Sequence, residues 1–317
     1  MSTRLEVSAE STPNSLDTRL KVIYLAGAPH SGSTILESIL TASPNIRGLG
    51  QFGRFYAYRD FDTCSCGEPP VSCVPCRAVT SEVIEPRGAN EYRRIGRITR
   101  REWGLPLLLV SSKLRRLYRE PSEDAFRAVA ATCGVSTLLE SSKSISRGLA
   151  LVDTDGVEVI VVHTVRDFAG FITSREKRTE KSSAGRDVLR LWKWMLKNAL
   201  VVGLLKPRSE SFFTVRFEDL AADPAREVER LCDAIGVDSE HATSRLSASN
   251  PLHRTHLFEP PRQFDYRGVV FDPNRRRAAS TISPKRRSRL WRLGGKFGSR
   301  WGYTEETPNP DLSLIHI

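Results

Sequence analysis

Residues 21–34 read KVIYLAGAPHSGST. The first seven, Lys21 to Gly27, are a nearly unbroken apolar run rich in β-branched residues, the pattern of a strand buried on both faces. Gly27-Ala28-Pro29-His30-Ser31-Gly32-Ser33-Thr34 follows, with glycines in G-x4-G spacing and then Ser-Thr at the head of an amphipathic stretch. Strand, glycine loop and helix in that order form an anion cradle, because backbone N–H groups and the helix N-terminus converge on one point. A nucleoside-triphosphatase loop would carry lysine where Ser33 stands. Its absence points to a different phosphoryl or sulfuryl donor.

Outward from this stretch the same pattern repeats. Val135 to Glu140, Val157 to Val165 and Ser211 to Phe217 read as further buried strands, separated by helical stretches. Those stretches are Gly32 to Ala42, Glu123 to Cys133, Asp167 to Lys177, Arg186 to Leu205 and Pro224 to Ile235. Asp223 with Pro224 supplies an N-cap and an N1 proline, and Gly236 a stop. Alternating strands and helices predict an α/β chain: a P-loop-like three-layer fold with a central, mainly parallel sheet and helices on both faces. Between Phe52 and Ser122 the alternation dissolves into a Cys-rich and basic insertion, expected above the C-terminal edge of the sheet. A single domain is expected over 20–303, with a disordered segment at 1–19 and a peripheral tail at 304–317.

The chain has 317 residues, 39% hydrophobic and 27% charged, enough for a well-buried core and too apolar for a disordered polymer. No apolar run approaches the roughly 18 residues of a membrane span. The polar N-terminus lacks a secretory pattern, so a cytoplasmic location without disulfides is expected. Net charge is +11 and uneven. Residues 262–300 hold twelve Arg/Lys against Asp265 and Asp272, and residues 92–119 hold nine against Glu102. Such segments are either solvated faces or the footprint of a polyanionic ligand.

Four segments, taken together, resemble the sulfotransferases that use 3'-phosphoadenosine 5'-phosphosulfate (PAPS). PHSGST at 29–34 is similar to the family's donor loop except that His30 replaces its basic residue. HTVRDFAGFITS at 163–174 resembles the strand that ends in Arg-Asp with a serine eight residues on. SSKS at 141–144 and VRFEDLAADP at 215–224 resemble two further family stretches, as do Trp194 with Asn198 and Trp301-Gly302-Tyr303. The resemblance spans about 20–303. It implies that Pro29, His30, Ser31, Gly32, Ser33 and Thr34 hold the donor's 5'-phosphosulfate, and that Arg166 and Ser174 hold its 3'-phosphate. The chain would then move a sulfuryl group from PAPS to a hydroxyl or amine of a small-molecule, glycan or lipid acceptor, releasing 3'-phosphoadenosine 5'-phosphate. No nucleic acid is expected as a partner.

Sulfuryl transfer asks a protein to align the acceptor with the leaving phosphate, neutralise developing charge and remove a proton. Lys143 and His30 are the candidate electrophiles; an imidazole of ordinary pKa near 6.5 is charged only part of the time. Related members carry a glutamate where Gln51 stands, and Gln51 cannot take a proton. His253, His256, Glu140 and His30 are the substitutes as base. Cys64, Cys66, Cys73 and Cys76 form C-x-C-x6-C-x2-C, which fits a structural zinc knuckle; reduced thiols or a local disulfide are the alternatives. Cys133 and Cys232 fall in helical patterns as core residues. Two other readings stay open: a non-catalytic nucleotide or polyanion-binding relative, and a P-loop kinase with an atypical phosphate loop.

Overall fold

The computed structural model describes residues 19–54, 63–88, 90, 96, 98, 102–154, 156–179, 183–247, 251–254, 256–258, 268–271, 282–306 and 315–316. Five strands form one parallel sheet: β1 Lys21–Gly27, β2 Ile46–Gly50, β3 Thr137–Glu140, β4 Glu158–Val165 and β5 Ser211–Arg216. Their order is β2-β3-β1-β4-β5, so the strand that feeds the glycine loop lies at the centre. Lys21 is in register with Thr137 on one side and Glu158 on the other. A two-stranded antiparallel ribbon joins β6 Val270–Phe271 to β7 Ile315–His316.

The pleat of β1 sorts the core. Val22, Tyr24 and Ala26 face one layer with Phe126, Val129 and Leu149. Ile23 and Leu25 face the other with Leu36, Ile39, Phe217, Leu231 and Cys232. Alternate side chains leaving opposite faces is the period-two rule for strands, and here both directions are apolar because helices cover both faces. The helices Ser112–Cys133 and Ile145–Leu151 form one outer layer, and Ser33–Leu40 and Pro224–Ile235 the other. Cys232 is core, as its pattern suggested, while Cys133 is half-buried against the same interior. A third cluster, with Phe168, Leu191, Trp194, Leu290 and Tyr303, joins the helices Phe168–Thr179, Ala184–Leu200 and Pro284–Gly298.

The strong punctuation holds where it was read. Asp223 accepts from Arg226 N at the start of Pro224–Ile235, and Gly236 closes that helix at φ 66. The helix ending at Cys133 begins at Ser112, eleven residues earlier than the sequence pattern suggested, and runs through Pro121. Among the described residues no helix is long and apolar enough to cross a membrane. Residues 1–18 of the expected disordered segment lie outside the described residues, as do Arg93, Arg94, Arg97, Arg100, Arg101, Arg262, Arg267 and Arg275 to Arg277.

Candidate active site

The loop after β1 is shaped by two glycines that no other residue could replace without displacement. Gly27 has φ 149, and a Cβ there would lie 2.2 Å from Thr164 O; Gly32 has φ 88, and its Cβ would lie 2.4 Å from the Phe217 ring. Gly32 is also the N-cap of Ser33–Leu40 and supplies no side chain to the first-turn N–H groups, which are left to an anion. Ser31 is turned inward. Its hydroxyl donates to Ala28 O at 2.8 Å and shares a hydrogen bond with Thr164 Oγ1 at 2.7 Å. That pins the loop to β4, so what Ser31 can offer a phosphate is its backbone N–H. Ser33 is buried, Thr34 and His30 are half-buried, and Pro29 is exposed.

Arg166, at the end of β4, meets this loop. Its Nη1 donates to His30 O at 3.3 Å. Its guanidinium lies 4.3 Å from the centre of the Phe217 ring, and its own carbonyl accepts from Trp194 Nε1 at 2.9 Å. Burial lowers the Arg166 pKa, offset by Glu218 and Asp167. The next residue is clamped as well: Asp167 N donates to Glu218 Oε1 at 3.0 Å, and Asp167 Oδ2 accepts from Ala169 N and pairs with Arg287 at 2.9 Å. Glu218 holds Tyr303 Oη at 2.8 Å, and burial raises the pKa of both Asp167 and Glu218. Ser174 stands half-buried on Phe168–Thr179, the helix that starts beside Arg166. The family-like stretches at 163–174, 215–224 and 301–303 therefore converge on one cluster.

On the other side of β1 lie two buried acids: Glu37, which sequence reading did not single out, and Glu140 at the end of β3, read there as a substitute base. Glu37 lies on the loop's own helix, fully buried; Oε1 accepts from Gly50 N at 3.0 Å, and Oε2 from Ser141 Oγ at 2.9 Å and Arg254 Nη1 at 2.5 Å. Glu140 is forked by Arg147, at 2.6 and 2.7 Å, and accepts from Ser142 Oγ at 2.5 Å. Arg147 donates in turn to Tyr118 and Ser122. Glu140 is thus an interior counter-ion, and the expectation of it as a base fails on that contact. Lys143 follows at φ 61, half-buried, just before Ser144 caps the next helix. His253 is exposed; His256 points its Nδ1 at Cys73 Sγ, 3.3 Å away, and is engaged there rather than as a base.

Among the described residues, the non-glycine residues with left-handed backbone are His30, Lys143 and His256. Such conformations cost a β-carbon-bearing residue free energy and cluster at functional positions. His30 and Lys143 follow β1 and β3, which are neighbours in the sheet. Both therefore leave the same edge.

The cysteines form a compact group. Cys64 Sγ is 3.6 Å from Cys73 Sγ and 4.0 Å from Cys76 Sγ. Hydrogen bonds from Cys73 and Cys76 pull the Cys64 thiol well below its ordinary pKa, and the contact with Cys64 pushes Cys73 up to about 12. The basic segments are largely committed to internal partners where they are described. Arg115 pairs with Asp153 at 2.7 Å, Arg116 with Glu120, Arg286 with Asp187 and Glu176, and Arg289 with Asp187. A cleft of about 340 Å³ between Ser183 and Ser283 is lined by Lys285, Arg289 and Arg292.

Residues 158–241, which include β4, Arg166, Ser174 and the 215–224 stretch, match the family described as "Sulfotransferase family". No curated protein matches the chain's sequence. Among solved structures, the chain is similar to the sulfotransferase domain of the Synechococcus PCC 7002 olefin synthase, with 17% identity, TM-score 0.43, and 89% of this chain and 96% of that one covered. It is similar to sulfotransferase STF9 of Mycobacterium avium at 12% identity and TM-score 0.48, over 90% of this chain and 78% of that one. For a sulfotransferase of Alicyclobacillus acidocaldarius the values are 12% and 0.41, over 88% and 92%. The three-layer P-loop-like fold stands on this chain's own strand order and parallel pairing.

Proposed function

We propose that this chain is a sulfotransferase that takes its sulfuryl group from PAPS and passes it to a hydroxyl or amine of an acceptor. The observation that carries the reading is the contact between the two nucleotide segments, in which Arg166 at the end of β4 donates to His30 O in the loop after β1. One strand end thus offers a bare helix N-terminus for the 5' side, and its neighbour a guanidinium for the 3' side. A guanidinium forks onto a phosphate with two charge-assisted hydrogen bonds, and Ser174 adds a hydroxyl. PAPS, when bound, supplies an activated sulfuryl group on a good leaving phosphate. The loop N–H groups orient that phosphate, and Lys143 and His30, displayed from adjacent strand ends, neutralise charge as the sulfur–oxygen bond breaks. With Glu37 and Glu140 engaged internally and His256 facing Cys73, His253 is the base that remains for the acceptor proton.

Thermal shift tests the donor. Stabilisation by 3'-phosphoadenosine 5'-phosphate and not by ATP with magnesium is expected. Arg166→Ala and Ser174→Ala should bind 3'-phosphoadenosine 5'-phosphate and adenosine 5'-phosphate with more nearly equal affinity. Loss of the arginine contact corresponds to about 1.5–3 kcal/mol. A variant pair that keeps wild-type discrimination overturns the assignment, and transfer from labelled PAPS to an acceptor separates an enzyme from a non-catalytic binder.

A further inference from the structure

We propose that Cys64, Cys66, Cys73 and His256 bind one zinc ion that fastens the insertion to the segment Leu252–Phe258. Sequence spacing suggested Cys76 as the fourth ligand; the fold brings His256 there instead. One ligand atom from each of the four lies within 4.8 Å of all the others. Zinc–sulfur bonds near 2.3 Å and zinc–nitrogen bonds near 2.0–2.1 Å set the sulfur–sulfur edges of a tetrahedral site at about 3.8 Å and the sulfur–nitrogen edges at about 3.6 Å. Cys64 to Cys73 is 3.6 Å and Cys73 to His256 is 3.3 Å, each within about 0.3 Å of its tetrahedral edge. Three sulfurs and one imidazole select zinc over magnesium or calcium, which take oxygen ligands.

The surroundings are built as an outer shell. Gly67 N donates to Cys64 O at 2.9 Å and Cys64 N to Glu68 O at 2.8 Å, which folds the Cys64-x-Cys66-Gly67 turn, with Gly67 at φ 94. Cys73 N donates to Pro69 O at 2.9 Å, and Leu257 N, next to His256, donates to Ser65 Oγ at 3.0 Å. His256 adopts φ 56, a cost borne where its ring meets Cys73. The cluster touches the donor-loop side through two further contacts of the same segment: Phe258 N to Leu49 O, and Arg254 to Glu37. A metal there would hold the insertion beside the end of β2. Cys76 Sγ, 4.0 Å from Cys64, sits outside the ligand set as a hydrogen-bonding neighbour.

The test uses the full chain, purified without chelator from zinc-supplemented cells, with metal content by mass spectrometry and zinc affinity by competition with a chromophoric chelator. Wild type is expected to carry close to one zinc per chain. His256→Ala should lose affinity by more than the roughly 10–100-fold that removal of an outer-shell partner costs. His256→Cys should restore binding, and Cys76→Ser should bind like wild type. Circular dichroism checks the fold of each variant, and the Cys variants carry the test if His256→Ala fails to accumulate. The proposal is overturned by wild type with only trace zinc, by a mass two hydrogens short that reports a disulfide, or by zinc lost in Cys76→Ser and kept in His256→Ala.

Discussion

Replacing Gly32 with alanine adds one methyl group at the point where the donor loop, Phe217 and Arg166 meet. The new Cβ would lie 2.4 Å from Phe217 Cδ2 and 3.0 Å from Cε2, well inside the ~3.5–4.0 Å of carbon contact. Two costs add. At φ 88 an alanine loses about 1–2 kcal/mol relative to glycine, and displacement of a packed ring costs about 1–3 kcal/mol. The expected loss is thus about 2–5 kcal/mol, read from urea unfolding of both proteins. Because the ring that must move carries the Arg166 guanidinium at 4.3 Å, stabilisation by 3'-phosphoadenosine 5'-phosphate should shrink as well. The two costs separate in a double-mutant cycle with Phe217→Ala. That change removes the obstacle, so the pair should be less destabilised than the sum of the singles by the crowding share, about 1–3 kcal/mol. A Gly32→Ala loss below about 1 kcal/mol, or strict additivity with Phe217→Ala, refutes the geometry on which the site is built.

Two further outcomes are expected. His163 is fully buried on β4, bonded to Asn198 at 2.9 Å, and burial lowers its pKa from 6.5 to about 4. The unfolded chain then binds one more proton than the native chain between those values, so this contribution to stability is complete above pH 6.5 and is lost as pH falls towards 4. The gap in unfolding free energy between wild type and His163→Gln should narrow by about 2 kcal/mol from pH 7 to pH 5, whereas parallel profiles would show that His163 is not the proton sink. Arg147→Met strands the fully buried Glu140 carboxylate and should cost about 3–5 kcal/mol in denaturant unfolding, with part recovered by adding Glu140→Gln; a loss under about 1 kcal/mol would mean the pair is dispensable.

How far the sequence could be read follows from how local each signal is. β1, β3, β4 and β5 were legible because strands buried on both faces read as unbroken apolar runs. β2 was not, since IRGLG at 46–50 contains two glycines and becomes a strand only against β3, with a register irregularity between Gly48 and Gly50. The first half of Ser112–Cys133 was hidden by Pro121 and by RRLYREPSE, whose charges find Asp153, Glu120 and Glu123. In the site, the glycine loop and Arg166 are marked by spacing. Glu37 is not: it reads as the polar position of an amphipathic helix, and its partners Gly50, Ser141 and Arg254 come from three other segments. His256 escaped the cysteine pattern for the same reason, since its ligand-like contact is with a residue far upstream.

The placement of β1 at the centre of the sheet also dictates when the fold can form. Lys21 to Gly27 pair with β3 and β4 alone, and their first partner residue is Thr137. A growing chain therefore carries its most apolar strand, and a loop helix too short to stand alone, through the whole synthesis of the insertion. At about 5–20 residues per second the wait is roughly 6–23 s, with both edges of the strand open to wrong partners. Docking of β1 must be a late and long-range event, slow by topology rather than by any local barrier. Expression yield of this protein should accordingly respond more to translation rate and to holding chaperones than to changes in the stability of the finished domain.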